Sequence, residues 1–295
     1  MPWTIPYFGE TEELNEAVRA SVAGSFIQLS DGYTHYELDG PSDGEPVVLV
    51  HGFSVPYFIW DPTFAFLTES GFHVLRYDLF GRGYSDRPRV RYDIDLFCKQ
   101  LRELLDTLGI ERFNLAGLSL GGPISATFTT RYPERVKKLV LVDPAGAKQV
   151  FLAKAIFSEI APIAGKMISG LFRNRQRAKE FASDFYDPAN VKTFVEKYMV
   201  HVKYKGFTRA ILSTMRNGML GDFSFAYREV GNLEIPTLLF WGRDDKTVPF
   251  KHSEAILAAI PQVEFHVIEH CGHIPQFEKP EEFNPLLLEF LNETK

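Results

Sequence analysis

Short, continuous apolar runs constrain the fold of this chain more than any other feature. They occur in VVLVHG, FHVLRYDLFGRG, FNLAGLS and KKLVLVDP, which begin at residues 47, 72, 113 and 137. A run of this kind, without polar alternation, is typical of a strand that is buried on both faces of a sheet. Because stretches with helical spacing separate the later runs, the pattern predicts an α/β fold, with a parallel sheet and right-handed crossovers.

The segment between the second and third runs carries a clear helical pattern. Its apolar residues share one helix face, namely Phe97, Leu101, Leu104, Leu105 and Leu108. Asp93 and Asp95 are both candidates for the N-cap of this helix. A second helix is predicted from about Leu120 to Tyr132.

Both ends of the sheet are visible in the sequence. SFIQLSDGYTHYEL (25–38) predicts two short strands around Asp31-Gly32, which is a strong hairpin signal, so the sheet begins antiparallel. The strand pattern returns in PTLLFWG (236–242) and VEFHVIEH (263–270). An amphipathic helix that begins at Pro280 closes the chain.

The strand pattern is interrupted between about residues 145 and 233, where apolar residues recur at helical spacing and aromatic residues are frequent. We interpret this segment as a helical insertion. The predicted organisation is an N-terminal extension (1–24), a core (25–145 and 234–295) and the insertion (146–233).

Length and composition favour a globular protein. The chain has 295 residues, of which 45% are hydrophobic and 24% charged, enough for one large domain that carries an insertion. The first 20 residues lack the basic start and apolar centre of a secretory signal, and no window has the roughly 18 apolar residues of a spanning helix. We therefore expect a soluble, cytoplasmic protein in which Cys98 and Cys271 are reduced.

The charge is unevenly distributed. A net charge of −6 argues against nucleic acid as a partner, because a phosphate backbone requires a clustered basic surface. Residues 146–230 hold 14 Lys and Arg against 7 Asp and Glu, about +7, which leaves about −13 for the remainder. Two interpretations stay open for the basic residues, which include RNRQRAKE (173–180), Lys192, Lys197, Lys203 and Lys205. They form solvated helix faces, or they attract anionic substrates or a peripheral anionic lipid surface.

One serine stands out against this background. Gly117-Leu118-Ser119-Leu120-Gly121 lies where a predicted apolar strand ends and a predicted helix begins. In that context Gly-x-Ser-x-Gly makes a sharp turn that exposes the serine oxygen at the edge of the sheet. Ser119 is therefore a candidate nucleophile.

A serine hydroxyl needs a base to take its proton and a carboxylate to orient that base. HCGHIPQFEKP supplies His270 and His273 after the last predicted strand, and WGRDDKTVP supplies Asp244 and Asp245 after the preceding strand. Parallel sheets carry functional groups at the carboxyl ends of their strands, so either member of each pair is in a suitable position.

The chain resembles the α/β-hydrolase fold superfamily, in its branch of serine esterases, lipases and carbon–carbon bond hydrolases. The resemblance covers about residues 26–290 and rests on five motifs in the family's order, HGF, YDLFGRGYSDRP, GLSLGG, WGRDDKTVP and GHIPQFEKP. It implies a mostly parallel central sheet with an antiparallel start, flanked by helices, with the insertion as a cap over the nucleophile.

The resemblance also implies roles for individual residues. Ser119 corresponds to the nucleophile, His273, directly after a glycine, to the base, and Asp245, four residues before a proline, to the acid. The backbone N–H groups of Phe53 and Leu120 correspond to the oxyanion hole. His51 is expected to shape the oxyanion loop, and neither a metal nor an organic cofactor is implied.

The sequence thus favours a serine hydrolase that cleaves small apolar carboxylic esters through an acyl-enzyme. Hydrolysis of a carbon–carbon bond in a ring-cleavage dienoate is the nearest alternative; those enzymes tend to have a glycine-rich oxyanion loop, whereas HGFSVPYFIW is bulky. Lactone hydrolysis is a further alternative. A non-catalytic ligand-binding protein of the same fold is the alternative from another class.

Overall fold

An eight-stranded sheet forms the centre of the molecule. The computed structural model describes residues 9–148 and 184–293. The strand order is β1-β2-β4-β3-β5-β6-β7-β8, in which β1 and β2 are antiparallel to their neighbours and the remaining pairs are parallel. This confirms the predicted α/β fold with an antiparallel start. The strands are β1 (Ser25–Leu29), β2 (Gly32–Asp39), β3 (Pro46–Val50), β4 (His73–Tyr77), β5 (Phe113–Leu118), β6 (Val136–Val142), β7 (Thr237–Gly242) and β8 (Glu264–Ile268).

Helices flank the sheet, and we number the described ones in chain order. They are α1 (Glu16–Ser21), α2 (Asp61–Glu69), α3 (Ile94–Leu108), α4 (Gly121–Arg131), α5 (Val191–His201), α6 (Phe207–Arg216), α7 (Ser224–Gly231), α8 (Ser253–Ala259), α9 (Pro275–Glu278) and α10 (Pro280–Asn292). Short 3₁₀ helices span Tyr57–Trp60, Pro188–Asn190 and Phe250–His252.

Local signals determine where α3 begins and ends. Of the two candidate caps, Asp93 is the N-cap, because its side chain accepts a hydrogen bond from the backbone N–H of Leu96 at 3.1 Å. Gly109 ends the helix in the left-handed conformation, with a φ of 70°. The face predicted from the apolar spacing is buried against the sheet, apart from the half-buried Leu108.

The two faces of the sheet bury separate apolar clusters. Alternate residues of β3 divide between them, with Val48 and Val50 on one side and Val47 and Leu49 on the other. All four side chains are at most 1% exposed. Burial on both faces explains why these strands are apolar without alternation.

The described part of the insertion, residues 184–233, is helical and packs on the core. Phe194 of α5 contacts Phe58 edge-on, with ring centroids 5.5 Å apart. Ala226, Tyr227 and Val230 of α7 join the cluster that contains α3 and α4. RNRQRAKE (173–180) lies outside the described residues, and the division into extension, core and cap stays a prediction.

Several lysines of the insertion have acidic partners elsewhere in the chain. Lys197 pairs with Asp61 at 2.7 Å. Lys203 and Lys205 pair with Glu12 and Glu13 at 3.0 and 2.6 Å. These contacts compensate their charges locally, which favours the interpretation of solvated, paired helix faces for these three lysines. Among the described residues, no helix is long and apolar enough to cross a membrane.

The N-terminal extension is fastened to the insertion by Glu10. This side chain is 5% exposed, and its carboxylate accepts hydrogen bonds from the backbone N–H groups of Gly206 and Thr208, at 2.7 and 2.6 Å. Both donors lie at the N-terminal end of α6, where a negative charge is also favoured by the helix dipole.

We expect Glu10→Ala to lower the free energy of unfolding by about 1.5–3 kcal/mol, because two partly buried N–H groups lose a charged acceptor. Glu13→Ala is the matched control, since its exposed ion pair with Lys205 contributes about 0–1 kcal/mol. Urea unfolding followed by circular dichroism measures both variants. Equal losses in the two would contradict the role given to Glu10.

Candidate functional site

Ser119 lies in a strained turn between β5 and α4. Its φ of 52° is in the left-handed region, which non-glycine residues rarely occupy. The strand β6 fixes this turn, because the Ser119 N–H donates to the carbonyl of Val142 at 2.9 Å. The Ser119 carbonyl in turn accepts from Gly122 and Ala145, at 2.9 and 3.0 Å. Strain of this kind costs about 1–3 kcal/mol and is concentrated at functional sites.

The glycines around Ser119 allow the close packing of this turn. A Cβ atom at Gly121 would lie 2.5 Å from the carbonyl oxygen of Val50, and one at Gly117 would overlap the carbonyl of Gly121. Any side chain at these positions would force the backbone of β3 or α4 to move. The Gly-x-Ser-x-Gly pattern therefore has the structural role that the sequence predicts.

His273 and Asp245 form a buried hydrogen-bonded pair. His273 Nδ1 lies 2.7 Å from Asp245 Oδ2, and each residue is 5% exposed. The other carboxylate oxygen of Asp245 accepts from the backbone N–H groups of Thr247 and Val248, at 2.8 and 2.9 Å. Because Asp245 can only accept while ionised, Nδ1 carries the proton, which leaves Nε2 as the acceptor of the neutral imidazole.

The neighbouring candidates lie outside this pair. Asp244 is half-buried, and its backbone N–H donates to the carbonyl of Cys271 at 2.9 Å. His270 is exposed, has a φ of 52°, and packs its ring 5.3 Å from that of Tyr186. The structure thus brings His273 and Asp245 together and leaves His270 and Asp244 apart from them.

Ser119 and His273 line the same cavity, which has a volume of about 120 Å³. Most of its described wall is apolar, formed by Gly52, Phe53, Val55, Ile59, Leu118 and Ile274. Ser54, Asp184 and Thr247 are the further polar side chains there, and no lysine or arginine belongs to the described part of the wall.

Two hydrogen bonds orient the loop that carries Phe53. His51 Nε2 accepts from the Leu79 N–H at 3.0 Å, so its Nδ1 holds the proton and donates to the Gly52 carbonyl at 2.9 Å. In a trans peptide the N–H points opposite to the carbonyl, so the Phe53 N–H points away from His51. Arg82 Nε holds the next carbonyl, that of Phe53, at 2.8 Å.

The N–H of Leu120 lies at the start of α4, beside Ser119. Among the described residues, neither this N–H nor that of Phe53 has a hydrogen-bond acceptor within the protein. Both predicted oxyanion donors are therefore available to a ligand, as far as the described chain shows.

Three carboxylates surround the imidazole of His273. Burial lowers the pKa of His273, but the charge of Asp245 and its hydrogen bond, followed by the charges of Asp143 and Asp184, outweigh burial and raise this pKa to about 9. Burial lowers the pKa of the His51 imidazole to about 4, so His51 is neutral. The environment thus separates the two histidines of the site by their proton affinity.

Sequence reasoning missed Asp143 and Asp184. Asp143 directly follows β6 and is fully buried, and its position at the carboxyl end of a parallel strand was an available signal. Asp184 lies in the insertion, and its backbone carbonyl accepts from the His273 N–H at 2.7 Å. No sequence pattern marks this second contact.

Among the described residues, one cluster has potential metal-ligand atoms close enough to hold an ion. It consists of Asp143, Asp245 and His273, whose ligand atoms all lie within 4.8 Å of one another. His273 Nδ1 is already bonded to Asp245, however, so a metal would have to replace that hydrogen bond. We therefore interpret this group as a network that holds protons.

Comparisons with known proteins are consistent with this geometry. A family model described as the alpha/beta hydrolase fold matches residues 45–280. The 2-hydroxy-6-oxo-6-phenylhexa-2,4-dienoate hydrolase of Comamonas testosteroni is 28% identical, over 90% of this chain and 93% of that protein. The 2-hydroxy-6-oxononadienedioate/2-hydroxy-6-oxononatrienedioate hydrolase of Paraburkholderia phymatum is 30% identical, over 92% of this chain and 97% of that protein. The solved structure of a meta-cleavage product hydrolase from Pseudomonas fluorescens IP01 superposes with a TM-score of 0.78 at 25% identity, covering 92% of this chain and 98% of that chain.

We expect the imidazole of His273 to titrate above 6.5, because the charge of Asp245 and its hydrogen bond favour the charged form. Asp245→Asn should lower this pKa, since burial is then opposed by less negative charge. Nitrogen-15 NMR of the histidine side chains measures both changes, and His51, with a pKa lowered to about 4, serves as the internal control. A midpoint for His273 at or below 6.5 would contradict the arrangement.

Proposed function

The chain belongs to the α/β-hydrolase family, and the names of its relatives support hydrolase activity. On this basis we propose that it is a serine hydrolase that acts on neutral carboxylic esters. The observation that carries the proposal is the shared cavity, which is lined by a strained Ser119 and by His273, whose imidazole is hydrogen-bonded to the buried Asp245. This is the arrangement that activates a serine hydroxyl.

The proposed reaction has two halves. His273 Nε2 takes the proton of Ser119 Oγ while this oxygen attacks the acyl carbon, and the imidazolium then protonates the departing alcohol. Water then enters, and His273 takes one of its protons while the water oxygen attacks the acyl carbon. The imidazolium returns this proton to Ser119 Oγ as the bond to the acyl group breaks, which releases a carboxylic acid and restores the serine. The N–H groups of Phe53 and Leu120 would stabilise the oxyanion formed in each half.

The lining of the cavity favours a neutral substrate. Its described wall is mostly apolar and holds no lysine or arginine, while Asp184 contributes a carboxyl group. A substrate carboxylate placed there would lose hydration without gaining a lysine or arginine partner, and the charge of His273 is already balanced by Asp245. Small apolar esters meet these conditions, and so do neutral lactones.

Hydrolysis of a carbon–carbon bond is the second candidate. One of the two curated relatives is named for a dienoate substrate and the other for a dienedioate or trienedioate, and their similarity extends over nine-tenths or more of both chains. Ser119, with His273 as its base, would attack a ketone carbonyl next to the carbon–carbon bond that is broken. The described cavity wall, which excludes residues 149–183, has no lysine or arginine, and this weighs against such an anionic substrate.

We expect Ser119→Ala to lower turnover on the order of 10⁴- to 10⁶-fold without loss of folding, because the hydroxyl is the attacking group. The assay uses nitrophenyl esters of increasing acyl length beside a lactone and a dienoate, which separates the candidate substrates. Ser54→Ala, in the wall of the same cavity, is the control and should keep most of the activity.

Two results would contradict this assignment. If Ser119→Ala keeps more than about a tenth of the activity, another group is the nucleophile. A fluorophosphonate probe provides a test that needs no substrate: it should label the wild type and not Ser119→Ala, and a wild type that stays unlabelled would favour the non-catalytic ligand-binding protein.

We also expect His273→Ala to abolish turnover while His270→Ala does not, because only His273 is hydrogen-bonded to Asp245 beside the cavity. For the same reason Asp245→Asn should reduce kcat more than Asp244→Asn. Steady-state kinetics on the best ester measures all four variants. A reversed order in either pair would transfer the role to the neighbouring residue.

A further inference from the structure

We infer that Asp143 is a positioning residue for the His273–Asp245 pair: it holds a proton, donates it in a hydrogen bond to Asp245, and is the reserve carboxylate for His273 when Asp245 is lost. The inference rests on the proposed function of Ser119. It concerns a buried carboxyl group to which neither the motifs nor the triad gives a role.

The end of β7 holds the two aspartates side by side. Asp143 Oδ1 accepts from the Gly242 N–H at 2.9 Å, and the Gly242 carbonyl accepts from the Asp245 N–H at 3.3 Å. Asp143 itself has a φ of 42°, a left-handed conformation that aspartate adopts only at some cost. Its N–H donates to the Phe240 carbonyl at 3.0 Å, so the turn after β6 is held in place.

The second oxygen of Asp143 requires a proton. Oδ2 is fully buried and has no hydrogen-bond partner among the described residues. A carboxylate oxygen of Asp143, one of Asp245 and a ring nitrogen of His273 all lie within 4.8 Å of one another. Two ionised carboxylates this close in a buried site repel strongly. A proton on Asp143 removes the repulsion and gives Oδ2 a partner in Asp245. Burial, followed by the charge of Asp245, raises the pKa of Asp143 well above its usual value.

The other charged groups around this pair do not replace Asp143. The carboxylate of Asp184 already accepts a hydrogen bond from the Thr247 hydroxyl. Cys271, from the loop after β8, is a buried thiol; burial raises its pKa and keeps it neutral, and its Sγ donates to Glu278 at 3.6 Å. Among the described carboxyl groups around His273, Asp143 has a fully buried oxygen without a hydrogen-bond partner.

A neutral Asp143 has a chemical consequence for the base. If Asp143, Asp184 and Asp245 were all ionised, their combined field would keep His273 charged, and Nε2 would be unable to accept the proton of Ser119. A hydrogen bond from the protonated Asp143 draws charge from Asp245 and lowers the proton affinity of the imidazole. Asp143 thus helps His273 to act as a base near neutral pH.

The first experiment compares Asp143→Asn with Asp143→Ala, by kcat, KM and the pH dependence of kcat/KM. Asparagine can keep both contacts, since Oδ1 accepts from Gly242 and Nδ2 donates to Asp245, so we expect activity close to wild type. Alanine removes both, and we expect kcat to fall on the order of 10- to 100-fold with little change in KM. Equal activity of the asparagine and alanine variants would overturn the positioning role.

The second experiment tests the reserve role. Asp245→Ala leaves space for an ionised Asp143 to approach His273, whereas Asp143→Asn/Asp245→Ala leaves no carboxylate at either position. We expect the single variant to exceed the double variant in kcat by about tenfold or more, with the acid limb of its pH profile shifted, because Asp143 must now ionise. Equal kcat values and equal pH profiles would overturn the inference.

The outcomes separate the inference from the function on which it rests. If Ser119→Ala retains activity, the proposed function fails. If Ser119→Ala is inactive while the Asp143 variants behave like wild type, only the inference fails. Urea unfolding checks each variant, and if Asp143→Ala does not fold, the comparison of Asp245→Ala with its double variant still decides.

Discussion

The 2.7 Å hydrogen bond between His273 and Asp245 is the interaction on which the proposed chemistry depends. It joins two loops that follow the neighbouring strands β7 and β8, and the pairing of these strands brings the loops together. Three segments meet at Gly242. Its N–H donates to Asp143 and its carbonyl accepts from Asp245. A Cβ atom there would lie 2.7 Å from the Cys271 carbonyl and overlap that of Gly272, so the close approach requires glycine. The site is therefore a consequence of how the strands end.

The features that were predictable from the sequence are those determined locally. The central strands are apolar because both of their faces are buried. The hairpin predicted around Asp31-Gly32 is present, with Ser30 and Asp31 as its two-residue turn and Leu29 paired with Gly32. The strained turn at Ser119 follows from its flanking glycines. Order along the chain also placed the candidate acid and base at one edge of the sheet, because parallel strands share that edge.

The features that were not predictable depend on contacts between distant segments. Nothing near Glu10 in the sequence indicates that it accepts from the start of α6, nearly 200 residues away. The lysines of the insertion form a basic group in the sequence, but three of them meet acidic residues whose positions only the tertiary structure defines. The choice between Asp93 and Asp95 as helix cap likewise needed the backbone geometry.

Charge connects the proposed base with the proposed substrate. Carboxyl groups close to His273 favour its charged form, but they also oppose an oxyanion that develops in the same cavity. A site of this kind works best when its outer carboxyl groups are neutral, and burial raises the pKa of both Asp143 and Asp184 in that direction. A substrate with its own carboxylate would restore the negative charge that these protons remove. The electrostatics of the described site therefore favour a neutral acyl compound, whichever bond beside the carbonyl is broken.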